Sequence, residues 1–170
     1  MFRTVLVLLA LCAGASTSIA QQSENQPAAP TPGPNEAVVY FVRPANMGMA
    51  INFWSFVDQR PVGMTKGNQH LATTVPAGEH IVWSRSGNVS ALKMTFAAGQ
   101  TYYLEQKVKM GGLRARVSLE ALDAEAGRKA VDETKPAKQP DDAAEKGAEI
   151  AATDYAEAVA AAAAPAAPQN

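Results

Sequence analysis

Two histidines, His70 and His80, stand ten residues apart, and the second follows Glu79 in the stretch Thr73 to Trp83, TTVPAGEHIVW. A carboxylate beside an imidazole suggests acid–base hydrolysis, and with His70 the same groups suggest a metal site. Zinc sites built without cysteine usually take two or three histidines and an oriented carboxylate. No HExxH or comparable spacing supports that here. The chain also lacks a GxSxG nucleophile elbow and a phosphate-binding glycine loop. The expectation is therefore no catalytic site, no metal and no cofactor, with a small exported hydrolase using His80 and Glu79 as the alternative. That alternative requires the two side chains to share an open pocket. Val75-Pro76-Ala77-Gly78 has the composition of a β-turn, with φ fixed at Pro and Gly in fourth place. Backbone geometry thus accounts for Pro76 and Gly78, and only His80 is left over.

A second chemical feature is a cluster of cations. Lys107, Lys109, Arg114 and Arg116 flank Gly111-Gly112, a dipeptide suited to a two-residue hairpin loop. In that register Lys109 faces Arg114 and Lys107 faces Arg116. Like charges directly opposite on a sheet destabilise it by up to about 1 kcal/mol per pair. One reading is an anion-binding patch for an envelope polymer, a lipid headgroup, a protein partner or the chain's own acidic tail. The other is an edge kept charged against strand-to-strand aggregation. Charge is polarised along the chain: residues 36–120 carry nine cations and five anions, whereas residues from 121 onward carry five and ten. The formal net charge of −1 hides this and argues against nucleic acid as a partner.

The elements that must position these groups are strands. From Ala37 to about Leu122, short β-rich runs alternate with turn residues at intervals near ten, a pattern that predicts an all-β fold, an antiparallel β-sandwich of about seven or eight strands. The predicted strands are 37–43, 50–58, 61–64, 70–75, 79–85, 91–97, 101–110 and 113–120. Leu92, Met94 and Phe96 share one face, as do Leu113, Ala115, Val117 and Leu119, and Tyr102, Leu104, Val108 and Met110. Val38 to Val42 is apolar on both faces, so it reads as a central or covered strand. The aromatics lie within strands, which favours core over a sugar-stacking platform. Asp123 is a candidate N-cap for a short helix over 123–131, although Gly127 weakens it.

The ends are of a different kind. Residues 1–20, MFRTVLVLLALCAGASTSIA, combine Arg3, an apolar run and small residues before Ala20, the anatomy of a secretory signal peptide. Leu11 ahead of Cys12 argues against a lipoprotein signal, so cleavage near Ala20 leaves a periplasmic or secreted chain without cysteine. The apolar run is shorter than the roughly 20 residues of a membrane span, and no transmembrane segment is expected. Residues 21–35 carry Pro27, Pro30, Pro32 and Pro34 and read as a linker. Residues 132–170 are rich in Ala, Lys, Glu and Asp and read as a disordered acidic tail, within which the alanines of Asp141 to Ala164 give the propensity for a transient helix, with no docked one expected.

Tyr40, Arg43 and Pro44 in YFVRP, Gly63, Pro76-Ala77-Gly78-Glu79-His80, and Gly99 with Tyr102 and Tyr103 in GQTYY occur in an order and spacing that resembles the DUF2846-type domain of unknown function of small exported bacterial proteins. The PxGxH and GxxYY pieces are also similar to PEGA-like surface β-domains. The resemblance spans residues 36 to about 131. It implies a β-sandwich and an envelope location, and it brings no activity with it. Asn88-Val89-Ser90 has the spacing of a glycosylation acceptor, which a bacterial exported protein gives little reason to use.

Overall fold

The computed structural model describes residues 29–44, 48–110 and 115–164. The expected signal peptide, most of the linker, Gly111-Gly112 and Arg114 lie outside them. Among the described residues nine strands form two sheets: β1 (Glu36–Arg43), β2 (Phe53–Val57), β3 (Arg60–Thr65), β4 (Gln69–Pro76), β5 (Gly78–Arg85), β6 (Val89–Phe96), β7 (Thr101–Met110), β8 (Ala115–Leu122) and the short β9 (Lys135–Pro136). The first sheet has the order β8-β7-β1-β4-β9 and the second β3-β2-β5-β6. The fold is mostly β, but the expected all-antiparallel, all-β architecture needs two corrections. β1 runs parallel to β7 and β4 parallel to β9. Two helices, α1 (Ala124–Asp132) and α2 (Ala143–Ala163), are also part of the structure.

Alternation along each strand explains the core. Ala37, Val39, Phe41, Leu71, Val75, Leu104 and Leu119 of the first sheet meet Val57, Val82 and Phe96 of the second in one buried cluster. Within this apolar layer sits a polar knot. Gln106 of β7 is fully buried; its amide nitrogen donates to Ser55 Oγ at 2.9 Å and Ser84 Oγ at 2.8 Å, and its oxygen accepts from Thr65 Oγ1 at 2.6 Å. One side chain of the first sheet thereby holds three strands of the second.

The outer faces are covered too, which is why β1 is apolar on both sides. Val38, Tyr40, Val42 and Tyr103 pack beneath α1, with Ala130, Leu122 and Val131 around them. Asp123 caps α1 as its sequence position predicts, with Oδ1 accepting from the backbone N–H groups of Glu125 and Ala126. Gly127, a weak helix former, is there for fit: a Cβ would fall 2.1 Å from the Tyr103 ring.

The largest departure from the sequence reading is at the C-terminal end. Residues 132–170, expected as a disordered tail, contain β9 and the 21-residue α2. Ala143, Gly147, Ala151 and Ala158 of α2 are buried; Ala151 and Ala158 cluster with Phe56 and Trp83, with Trp54, Ile81, Val89, Ala91, Ile150 and Tyr155 around them, and Gly147 lies over Pro61 and Trp54. Alanine gives a helix little apolar area of its own, so the tail reads as unable to form a core. The aromatic wall supplies that area instead. The same docking resolves β2: Phe53, Ser55 and Val57 alternate with Trp54 and Phe56, and both faces are covered.

Gln106→Ala strands the Thr65, Ser55 and Ser84 hydroxyls and opens a small void. Urea unfolding is expected to show a loss of about 3 kcal/mol, and a loss under about 1 kcal/mol would show that the knot relaxes without cost.

Candidate functional site

His80 sits on the core-facing side of β5, opposite Ile81 and Trp83, and its ring stacks on Phe96 at 5.7 Å between centroids. Its Nδ1 lies 2.7 Å from Asp58 Oδ2 and its Nε2 lies 3.0 Å from the Pro76 carbonyl oxygen. Asp58 opens the two-residue connection between β2 and β3, with φ of 51°. Its other carboxylate oxygen accepts from the Ile81 N–H at 2.9 Å, and its carbonyl accepts from Trp83 Nε1 at 2.7 Å. A shallow cleft of about 390 Å³ lies here, lined by Val57, Asp58, Gln59, Arg60, Val75, Pro76 and His80.

Chemically this is a clamp. A carbonyl oxygen can only accept, so Nε2 must donate to Pro76, and Nδ1 faces a carboxylate that also accepts. Both ring nitrogens are therefore occupied by protein groups. Glu79 lies on the other face of β5 and pairs with Lys93 at 3.1 Å, both side chains being more than half exposed. The structure therefore brings His80 to Asp58 and keeps Glu79 away from it. Asp58 carries no motif in the sequence. The local signal for it is an Asp-Gln pair between two β-rich runs, which marks a turn and no more.

The Pro76-Ala77-Gly78 stretch is also different in kind from a hairpin turn. β4 belongs to the first sheet and β5 to the second, and the chain passes between them through Ala77 alone. The Ala77 N–H donates to the Asn35 carbonyl at 2.8 Å, which pins this corner to the start of β1. Gly78, with φ of 141°, provides the bend.

His70 is remote from this clamp, on the outer face of the first sheet, where it is buried edge-on to Tyr40. Thr134 Oγ1 donates to the Ala130 carbonyl at 2.8 Å, so it accepts from His70 Nδ1 at 2.9 Å. Burial pushes the His70 imidazole below its usual range. Among the described residues no group of three or more His, Cys, Asp or Glu side chains is placed to hold a metal.

The remaining residues of the sequence motifs hold elements in place. The Arg43 guanidinium is buried over the Phe53 ring at 3.9 Å and donates to the Ile51 carbonyl at 2.5 Å and the Gly48 carbonyl at 2.7 Å. It anchors the segment that follows Pro44. Tyr40 stacks on Tyr103 at 5.4 Å. Gly99 has φ of 73° in the crossing from β6 to β7, where the Tyr102 hydroxyl accepts from the Ala97 N–H at 2.9 Å.

The cationic hairpin takes a register other than the expected one. Met110 faces Ala115, Lys109 faces Arg116 and Lys107 faces Ser118. Lys107 reaches Glu120 at 2.5 Å and Glu105 at 3.6 Å. The hydrogen bond to Glu120 holds the Lys107 ammonium above its usual range and the Glu120 carboxyl below its own. Lys109 and Arg116 are both exposed, directly opposite each other on the outer face. A like-charge pair survives, with different members.

Residues 34–120 match the model of a family described as protein of unknown function, DUF2846. The chain belongs to this family. The DUF2846 match takes in the Arg43 anchor, the His80 clamp, Gln106 and the cationic hairpin, and it ends before both helices. A protein of Haemophilus influenzae, described as uncharacterized, is 25% identical over 128 residues, which cover 75% of this chain and 76% of that relative.

Because the folded state holds His70 below the usual histidine range, protonation favours the unfolded chain. The stability contribution is complete above the unfolded pKa of about 6.5 and declines as pH falls toward the lower folded value. Unfolding free energy measured from pH 7.5 to 5 is expected to fall less steeply in His70→Gln than in the wild type. Equal slopes would place the acid sensitivity elsewhere.

Proposed function

We propose that this chain is an exported, non-catalytic module of the bacterial cell envelope, a β-sandwich that engages an anionic envelope component through the outer face of the β7–β8 hairpin. The observation that carries the reading is the exposed Lys109–Arg116 pair. Two cations held opposite each other destabilise the ladder, and a bound anion relieves that repulsion. The acidic C-terminal segment does not offer this relief, since α2 docks on the other sheet and directs Asp154 to Arg85. Lys107 contributes less, being engaged with Glu105 and Glu120. The hydrolase alternative has little support, because His80 commits both ring nitrogens to Asp58 and Pro76 and Glu79 faces away. Export is supported by the signal-like composition of residues 1–20, and the sandwich by the core that the two sheets share.

Vesicles containing phosphatidylglycerol should retain the protein at low salt and release it as salt rises. Lys109→Gln/Arg116→Gln is expected to lose binding several-fold, while Lys107→Gln changes it less. Equal binding of all three proteins would leave the pair as a solvated face.

Export has its own check. The N-terminus of protein recovered from a periplasmic extract should begin at or near Gln21; protein that stays in the cytoplasm with Met1 intact would remove the envelope assignment.

A further inference from the structure

The peptide group between Pro76 and Ala77 carries the chain from one sheet to the other, and it is held at both ends. Its N–H donates to the Asn35 carbonyl at 2.8 Å, beside the start of β1, and its oxygen lies 3.0 Å from His80 Nε2 on β5. His80 Nδ1 in turn lies 2.7 Å from Asp58 Oδ2, while Asp58 Oδ1 accepts from the Ile81 N–H. Both contacts of the ring are therefore with acceptors, and each needs a hydrogen. A neutral imidazole carries one N–H and an imidazolium two. The closed arrangement thus holds one proton more than a neutral His80 and an ionised Asp58 bring to it, and that proton lies between Nδ1 and Oδ2.

The groups packed around the ring are engaged elsewhere. Phe96 stacks on the imidazole and Met94 opposes His80 across the β5–β6 ladder, neither bearing a charge. Glu79 and Lys93 pair with each other on the far face. Arg60, at the mouth of the cleft, donates to Thr73 Oγ1 and the Thr74 carbonyl. Glu36, opposite Pro76 on β1, accepts from the Gly33 N–H. The Tyr102 hydroxyl, beside Phe96, accepts from the Ala97 N–H. From α2 comes Tyr155, whose phenol is held above its usual range by burial and then by the Asp58 charge.

Loss of the shared proton leaves one N–H for two acceptors. The hydrogen stays on Nδ1, because a hydrogen bond to an ionised carboxylate is about twice as strong as one to a neutral carbonyl. Nε2 then turns a lone pair on the Pro76 oxygen, and the peptide group loses its hold on the second sheet. Pro76 borders the cleft that Val57, Asp58, Arg60 and Val75 also line, so the released corner faces open space.

We propose that Asp58, His80 and the peptide group between Pro76 and Ala77 form a pH-sensitive latch between the two sheets. It is closed while the pair holds its proton, and it opens at the corner when pH rises and the proton leaves. Its sense is opposite to that of His70, whose contribution is lost as pH falls.

The test is a pH titration of the full chain carrying isotope-labelled histidine, followed by nuclear magnetic resonance. The chain has two histidines, and His70→Gln leaves the His80 signals alone in the spectrum. At acid pH both ring nitrogens of His80 should carry hydrogen, and on raising the pH Nε2 alone should lose its own. Over the same steps the Ala77 amide, corrected for its intrinsic exchange rate, should lose protection on the order of tenfold, the factor that one hydrogen bond contributes. Asp58→Asn separates the latch from the shape of the site. Its carboxamide oxygen can accept from the Ile81 N–H while its NH₂ donates to Nδ1, so a neutral ring keeps both contacts. In that variant Ala77 protection should be high and independent of pH. A wild-type ring that loses its hydrogen from Nδ1 instead, Ala77 protection that ignores pH, or an Asp58→Asn protein that responds as the wild type does would each overturn the proposal.

Discussion

One amide group sets the relation between the two sheets. Gln106 lies between Leu104 and Val108 in the inward phase of β7, a position where burial demands that every polar atom find a partner. Its two N–H groups and its carbonyl oxygen meet three hydroxyls on β2, β5 and β3. Apolar packing tolerates sliding because it has no direction; this knot does not, since a shift of one residue turns Gln106 toward the outer face and leaves three hydroxyls in a dry layer. The Arg43 anchor, the Asp58–His80 clamp and the corner at Ala77 all join segments whose positions follow from that fixed alignment.

A β-rich body of this size must also protect its borders. Edge strands present unpaired backbone groups that invite another chain. Here two edges are closed by side-chain amides that imitate a strand. At the β8 edge, Asn88 donates to the Val117 carbonyl and accepts its N–H at 2.8 Å, and Ser90 accepts from the Leu119 N–H at 2.9 Å. At the β3 edge, Gln139 does the same for Met64, accepting its N–H at 2.8 Å and donating to its carbonyl at 3.0 Å. The close approach of Gln139 requires a residue without a side chain beside it, because a Cβ on Gly63 would fall 2.6 Å from the Gln139 amide oxygen.

Strand positions were legible in the sequence because period-two alternation and turn residues are local signals. So was the Asp123 cap, whose partners lie two and three residues away. What was not legible depends on distant partners. α2 looks too poor in apolar residues to dock, and becomes intelligible only beside Trp54, Phe56 and Trp83. The hairpin register is two positions off the one that Gly111-Gly112 suggested, with Met110 facing Ala115 in place of Leu113. His80 stood out as the residue without an explanation, yet its partner Asp58 lies more than twenty positions away. Gln106 was legible in principle: a polar residue in an inward phase is a signal for a buried network, and the alternation of β7 passes through it.

Closing an edge with an amide gives the fold a chemical lifetime as well as a thermodynamic stability. Hydrolysis of the Asn88 amide to a carboxylate would replace a donor with an oxygen that repels the Val117 carbonyl, and the same change at Gln139 would oppose the Met64 carbonyl. Slow covalent ageing at either residue therefore reopens a sheet border without touching the core. In this protein two carboxamides help to keep the β8 and β3 borders closed to other chains.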